Sequence, residues 1–164
     1  MSESASEADP EAAETADDLR SYVESPIIMA TVRVVSPFVF TYGLYLMFHG
    51  ANSSGGGFQG GVVVATVMLM LGIAFGIDPL REWVGESTLV LVVVAGVFAF
   101  LAIGVVTTLP PFGGGFLDYS ALGFPGASKY GIEAVELFIG VVVASTITGL
   151  FFAIDAGKEG GDNE

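Results

Sequence analysis

The chain has 164 residues, the length of one domain, and 52% of them are hydrophobic, with a mean hydropathy of +0.72; a soluble domain of this size needs far less apolar content. With no cysteine and a single histidine, His49, it is not expected to build a disulfide framework, a thiol nucleophile, an iron–sulfur cluster or a histidine-rich metal site, so neither a metal nor another cofactor is expected. The formal charge of -13 excludes a basic nucleic-acid arm, and nucleic acid is not an expected partner.

The charge is unevenly placed. Of the 18 acidic residues, 12 fall in residues 1–24 and 155–164, while 25–154 carry six acids against Arg33, Arg81 and Lys129. Like-charged blocks with few large apolar residues cannot offset the entropy of ordering, so two acidic tails are expected to be disordered, residues 1–19 above all. The acidic start has no basic n-region and is not expected to act as a signal peptide.

Between the tails, residues 25–154 form the expected transmembrane domain. Four unbroken apolar runs lie at about 26–48, 59–77, 88–109 and 132–154. As helices of about 19–24 residues they reach about 28–36 Å, enough for a hydrocarbon core of about 30 Å. No alternating β-barrel pattern is present. The expected fold class is therefore an all-α integral membrane protein of four transmembrane helices.

In the first span, Ser25-Pro26 reads as an N-cap followed by proline at N1. Pro37 falls mid-span and predicts a helix kink, of a kind membranes tolerate where neighbouring protein satisfies the freed carbonyl. Arg33 lies close enough to the start to snorkel to the near interface. His49 ends the span. As the chain's single histidine it is a candidate for proton handling, against the plain reading of a helix C-terminal histidine bonding the last carbonyls.

The glycine run that follows is the most distinctive segment: Gly55, Gly56 and Gly57, then Phe58, Gln59, Gly60 and Gly61. It lacks the Lys and Ser/Thr of a phosphate-binding P-loop and is not flanked by a strand. A structural turn fits better, since glycine permits positive φ and lets two backbones approach. Gly-Gly-Gly-Phe recurs at 113–116, but the flanking residues do not align as a repeat.

The stretch from Asp78 to Ser87 reads as a polar loop, with Trp83 as an interface anchor. Pro110 to Gly131 is a longer loop, rich in Gly, Pro and aromatics. Glu133 and Glu136 open the fourth span one turn apart. Carboxylates suit helix N-termini, but Glu136 lies within the apolar run, and both are candidates for ion or proton handling. Glu136, Gly140, Ala144 and Thr148 form an i+4 stripe of mostly small residues suited to a neighbouring helix.

With both tails on one side, that side carries Arg20, Arg33, Arg81 and Lys158, and the other only Lys129. The positive-inside rule then places both termini and the middle loop in the cytoplasm of a multi-pass cell-membrane protein.

Residues 36–50, Ser-Pro-Phe-Val-Phe-Thr-Tyr-Gly-Leu-Tyr-Leu-Met-Phe-His-Gly, together with the glycine run to Gly61, resemble the B subunit of the multisubunit Mrp (Mnh) type Na+/H+ antiporter. That family pairs a proline-containing first helix, a Tyr and a His-Gly with a Gly-Gly-Gly-Phe-x-Gly-Gly turn; it usually has proline where this chain has Ser54. The similarity is specific over residues 33–76 and looser in the third and fourth spans. It implies four helices and an accessory role in a cation/proton antiporter complex, not an enzyme. The implied partners are the other subunits and the lipid bilayer, with Na+ and H+ as the transported ions. Related B-type subunits occur in the membrane arm of membrane-bound hydrogenases and complex I-like redox-driven pumps, and that setting is the alternative. A free-standing structural membrane protein is a third reading.

Overall fold

The computed structural model describes residues 25–161 apart from 51 and 53, with side chains described as far as Gly157. The acidic tail 1–24 and residues 162–164, on which much of the expected disorder rests, lie outside the described residues.

Among the described residues five α-helices follow in order: α1 Pro26–His49, α2 Gly57–Phe75, α3 Ile77–Val84, α4 Glu86–Val106 and α5 Ala127–Gly161, with a 3₁₀ turn at Tyr119–Leu122. Four of them are long and apolar enough to cross a membrane: α1, α2, α4 and α5 over Ala127–Gly157. The all-helical class and the count of four spans agree with the sequence reading.

The boundaries follow from local chemistry. Ser25 is extended ahead of Pro26 at N1, and the Met29 N–H donates to the Ser25 carbonyl at 3.0 Å. α1 then runs unbroken through Pro37 to His49. The stretch expected as a polar loop is instead largely the short helix α3, closed on both sides by glycine. Gly76 at φ 96° and Gly85 at φ 68° hold backbone angles that a side chain would oppose. Their N–H groups cap the Gly72 and Arg81 carbonyls at 3.0 and 2.8 Å. α3 is amphipathic: Leu80 is buried and Trp83 is 76% exposed. Burying one apolar face was enough to fold residues that read as loop by polarity alone.

α5 starts five residues before the fourth apolar run and continues past Ile154 to Gly161. At 1.5 Å per residue it is about 52 Å long, well beyond the hydrocarbon thickness.

The spans pack in the order α1–α2–α5–α4. α1 and α2 form an antiparallel pair, α5 packs along α2, and α4 packs on α5; α4 meets neither α1 nor α2 among the described residues. The bundle is thus open along one side. Both described chain ends and α3 lie on one face, the terminal face, and the glycine run lies on the other.

On the terminal face Arg81 ties α3 and the start of α4 to α5. Its Nη2 donates to the Phe152 carbonyl at 2.7 Å and lies 3.8 Å from Asp155 Oδ2, its Nε is 3.4 Å from Glu86 Oε1, and its guanidinium lies over the Phe152 ring at 5.5 Å. Leu80, Leu89 and Phe152 form the buried cluster beneath it. Arg33 lies over the Phe75 ring at 5.1 Å, beside the last residue of α2, and so belongs to this same face.

On the opposite face the loop after α4 folds back on the helix end. The Leu117 N–H donates to the Gly104 carbonyl at 3.1 Å, and fully buried Thr107 donates from Oγ1 to the Gly115 carbonyl at 2.7 Å. Tyr119 stacks so closely over Gly131 that a Cβ there would enter its ring. Burial pushes the Tyr119 phenol above its usual range.

Candidate functional site at the glycine turn

The site is built where the α1–α2 turn meets α5. α2 begins at Gly57, two residues before the expected start, and runs beside α5 with almost nothing between the backbones. A Cβ at Gly57 would overlap the Glu136 carbonyl oxygen, and one at Gly61 would lie 2.5 Å from the Gly140 carbonyl oxygen. On the other side of α2, a Cβ at Gly60 would lie 2.7 Å from the Gly43 carbonyl oxygen. Met47, 2% exposed, fills the junction: its Cε would be 2.5 Å from a Cβ on Gly140 and its Cγ 2.6 Å from one on Gly60. Close approach of this kind trades side-chain bulk for backbone dispersion contact, the main adhesive between helices when lipid is the solvent.

Gly56 supplies the turn itself, with φ 139° at the residue before α2. Gly55 adjoins it, against the Leu46 side chain at 3.2 Å from a built Cβ.

Into this turn projects the Glu136 carboxylate. Its two oxygens occupy the space a Cβ on Gly50 would need, and Oε1 lies 3.0 Å from the Cβ position of Gly56. Oε2 is buried, and none of the described protein groups donates to it. A buried carboxyl oxygen without a donor is costly, so this position works against the stability of the isolated chain.

The other sequence candidates fall around it. His49 immediately precedes Gly50, is exposed and stacks on Tyr45 with ring centroids 4.3 Å apart. Glu133, one turn before Glu136, is partly buried and pairs with Lys129 at 3.8 Å. Glu133 and Glu136 lie six and nine residues into α5. The reading of either as a helix-end cap is therefore corrected: the apolar run marked where α5 enters the membrane, whereas the helix begins earlier, at Ala127. The small-residue stripe is also divided, because Gly140 packs inside the chain against Met47 and Gly57. Pro37 lies away from the turn, exposed on α1, with the Thr41 hydroxyl donating to its carbonyl at 2.8 Å. Beside it Ser36 is buried with its Oγ unbonded.

Sequence reasoning missed Gly50 as the carboxylate's contact and Met47 as the wedge. The signal was present for the first: a lone glycine directly after a helix-ending histidine. For Met47 there was none, since a methionine in an apolar span reads as lipid-facing or core alike. Among the described residues no group of His, Cys, Asp and Glu could hold a metal ion.

By class, the fold is that of a multi-pass helical membrane protein whose tightest internal junction is a glycine turn holding one carboxylate. The family described as "Domain related to MnhB subunit of Na+/H+ antiporter" matches residues 27–149, and the chain belongs to it. It is similar to a Staphylococcus haemolyticus (strain JCSC1435) protein that carries the name antiporter subunit mnhB2, at 27% identity over 82% of this chain and 98% of the relative. A Staphylococcus aureus (strain Newman) protein of the same name is 25% identical over 80% of this chain and 87% of its own length. No solved structure matches significantly. The family match takes in nearly all of α1, the glycine turn, α2 and α4, and α5 as far as Gly149.

Proposed function

We propose that the chain is an accessory subunit of a multisubunit monovalent cation/proton antiporter, exchanging Na+ for H+, and that it contributes to assembly and ion exchange as part of that complex and not as an enzyme. The observation that carries this reading is the family match over residues 27–149. Its partners are then the other subunits and the bilayer, with Na+ and H+ as the ions moved by the whole. In this reading residues 25–154 are the transmembrane domain between two acidic tails. The excess of Arg and Lys on the terminal face supports a cell-membrane orientation with both termini cytoplasmic. Glu136, with His49 and Glu133 near it, is the group of this chain best placed to meet an ion path or a neighbour, because its carboxyl group lies against Gly50 and Gly56 with Oε2 given no donor among the described residues.

The test removes this chain alone from the complex. Everted vesicles lacking it should lose Na+-dependent proton efflux, read with a pH-sensitive dye, and a tagged copy should bring other membrane subunits with it from mild detergent. Antiport that persists at full rate without the chain, with nothing co-purifying, would overturn the proposal.

A further inference from the structure

Glu136 brings an acid into the apolar part of α5. It stands in the third turn of that helix, and the next ionisable residue along it is Asp155. Its side chain reaches the seam where α1 ends, against Gly50 and Gly56, and no described group donates to Oε2. Among the described residues the basic side chains are engaged elsewhere. Lys129, two turns earlier, pairs with Glu133. Arg33 lies over the Phe75 ring and Arg81 donates to the Phe152 carbonyl, both on the terminal face. His49 stands at the same seam, stacked on Tyr45, and gives no bond to Oε2. Glu133, the charged group one turn before on α5, has the same sign. Glu136 is nevertheless partly exposed, so a group outside this chain can reach it.

We infer that Glu136 is a docking point for a membrane partner and receives a lysine or arginine side chain from a transmembrane helix of a neighbouring subunit. This rests on the antiporter-subunit reading above and names what one of the partners must carry. Charge complementarity selects the occupant. A carboxylate at membrane depth is stable when a cation and hydrogen-bond donors meet it. A basic side chain brings both, whereas lipid hydrocarbon brings neither. A proton removes the charge but gives no donor to the oxygen that stays bare. An ion pair needs one carboxyl oxygen within about 4 Å of the base, which partial exposure of Glu136 allows. The effect of this residue then changes sign with the state of the chain: unfavourable while the chain stands alone, favourable once the partner has docked. A side chain with a purely internal structural role would show no such reversal.

The test purifies the tagged full-length chain from membranes in mild detergent and measures, by quantitative mass spectrometry, the other membrane subunits recovered per copy. Glu136→Gln, neutral and of the same size, leaves the partner's base unpaired and should cut that recovery about ten-fold or more. Purified alone, the same variant should unfold in SDS no earlier than the wild-type chain, because the group it removes is unsatisfied there. Glu136→Lys should abolish recovery. Second-site changes selected for restored sodium tolerance should then replace a lysine or arginine in a membrane span of another subunit by an acid or a neutral residue; suppressors confined to this chain would count against the pair. Wild-type recovery by Glu136→Gln would overturn the inference, and if antiport fell at the same time the carboxyl would serve a proton or a cation instead. A Glu136→Gln chain that unfolds earlier on its own would also overturn it, since the carboxyl would then be satisfied within this chain. If the wild-type chain itself recovers no other subunit, the antiporter-subunit reading is lost and this inference goes with it.

Discussion

Gly60→Ala tests the close packing of α1 on α2. The added methyl would lie 2.6 Å from Met47 Cγ, 2.7 Å from the Gly43 carbonyl oxygen and 2.9 Å from the Met47 backbone nitrogen, where ordinary contact begins near 3.4 Å. Met47 Cγ can rotate away; the two backbone atoms cannot. α1 must therefore retreat by about 0.7 Å, and overpacking of this kind costs about 1–3 kcal/mol. Replacing glycine by alanine in a helix returns about 0.5–1 kcal/mol, which against that cost leaves a net loss of up to about 2.5 kcal/mol. Gly149→Ala is the matched control: its methyl would meet only Leu89 Cδ1, at 4.0 Å, so the helix term stands alone and a gain of up to about 1 kcal/mol is expected. Both variants would be unfolded by SDS titration from mixed micelles and followed by circular dichroism. Opposite signs are expected. A Gly60→Ala chain as stable as Gly149→Ala would refute the claim that backbone approach at Gly60 holds the pair together.

Other outcomes follow from the same structure. Cysteines placed at Ser87, on the terminal face, should be shielded from an impermeant thiol reagent in intact cells, and those at Ser120 should be labelled; labelling at 87 would reverse the orientation. Arg81→Leu removes a charge-assisted bond to the Phe152 carbonyl and the pairings with Asp155 and Glu86, and should cost about 1–3 kcal/mol. Limited proteolysis should then cut sooner after Phe152, and an unchanged cleavage rate would count against the tie. Gly50→Ala directs a methyl into the Glu136 carboxylate, so a double-mutant cycle with Glu136→Ala should show coupling of about 0.5–3 kcal/mol, against zero if the two do not touch.

The spans were legible because hydropathy in a bilayer is a demand on every residue of a segment: four runs of sufficient length leave little else for the chain to be. α3 was not legible, because Asp78, Arg81 and Glu82 read as loop by polarity, and its stability comes from Leu80 and from Arg81 reaching residues 71 positions away. The start of α5 was misplaced for a related reason. Lys129 precedes the apolar run and read as loop, yet its i,i+4 pairing with Glu133 suits a helix that begins earlier, in the interface. At the site, the glycines and Glu136 each stood out in sequence, but nothing in one dimension says that the carboxylate of α5 rests on Gly50 and Gly56. That contact depends on the α2–α5 packing and appears only when the helices are assembled.

The distribution of ionisable groups bears on whether this chain alone can move an ion. Among the described residues α2 has none, and α4 has only Glu86 in its first turn. Along α5 the distance from Glu136 to Asp155 is 19 residues, about 28 Å; along α1, Arg33 to His49 is 16 residues, about 24 Å. Arg33, Arg81, Glu86 and Asp155 all belong to the terminal face, and His49, Lys129, Glu133 and Glu136 to the other. The gap between the two sets is most of a hydrocarbon core of about 30 Å. The hydroxyls do not bridge it: those of Thr31, Thr41, Thr66, Thr146 and Thr148 each donate to a carbonyl four residues back in their own helix. A proton or sodium relay needs titratable or oxygen-bearing groups in succession; among the described residues the charged ones lie only at the two faces, and the hydroxyls left between them, such as Ser36 and Ser145 on separate helices, are isolated. The purified chain alone, reconstituted in liposomes with a pH-sensitive dye inside, should therefore show no Na+-dependent proton flux above protein-free controls. Flux above those controls that disappears in Glu136→Gln would mean that a complete path runs through these four helices, and that Glu136 takes part in it without help from a neighbour.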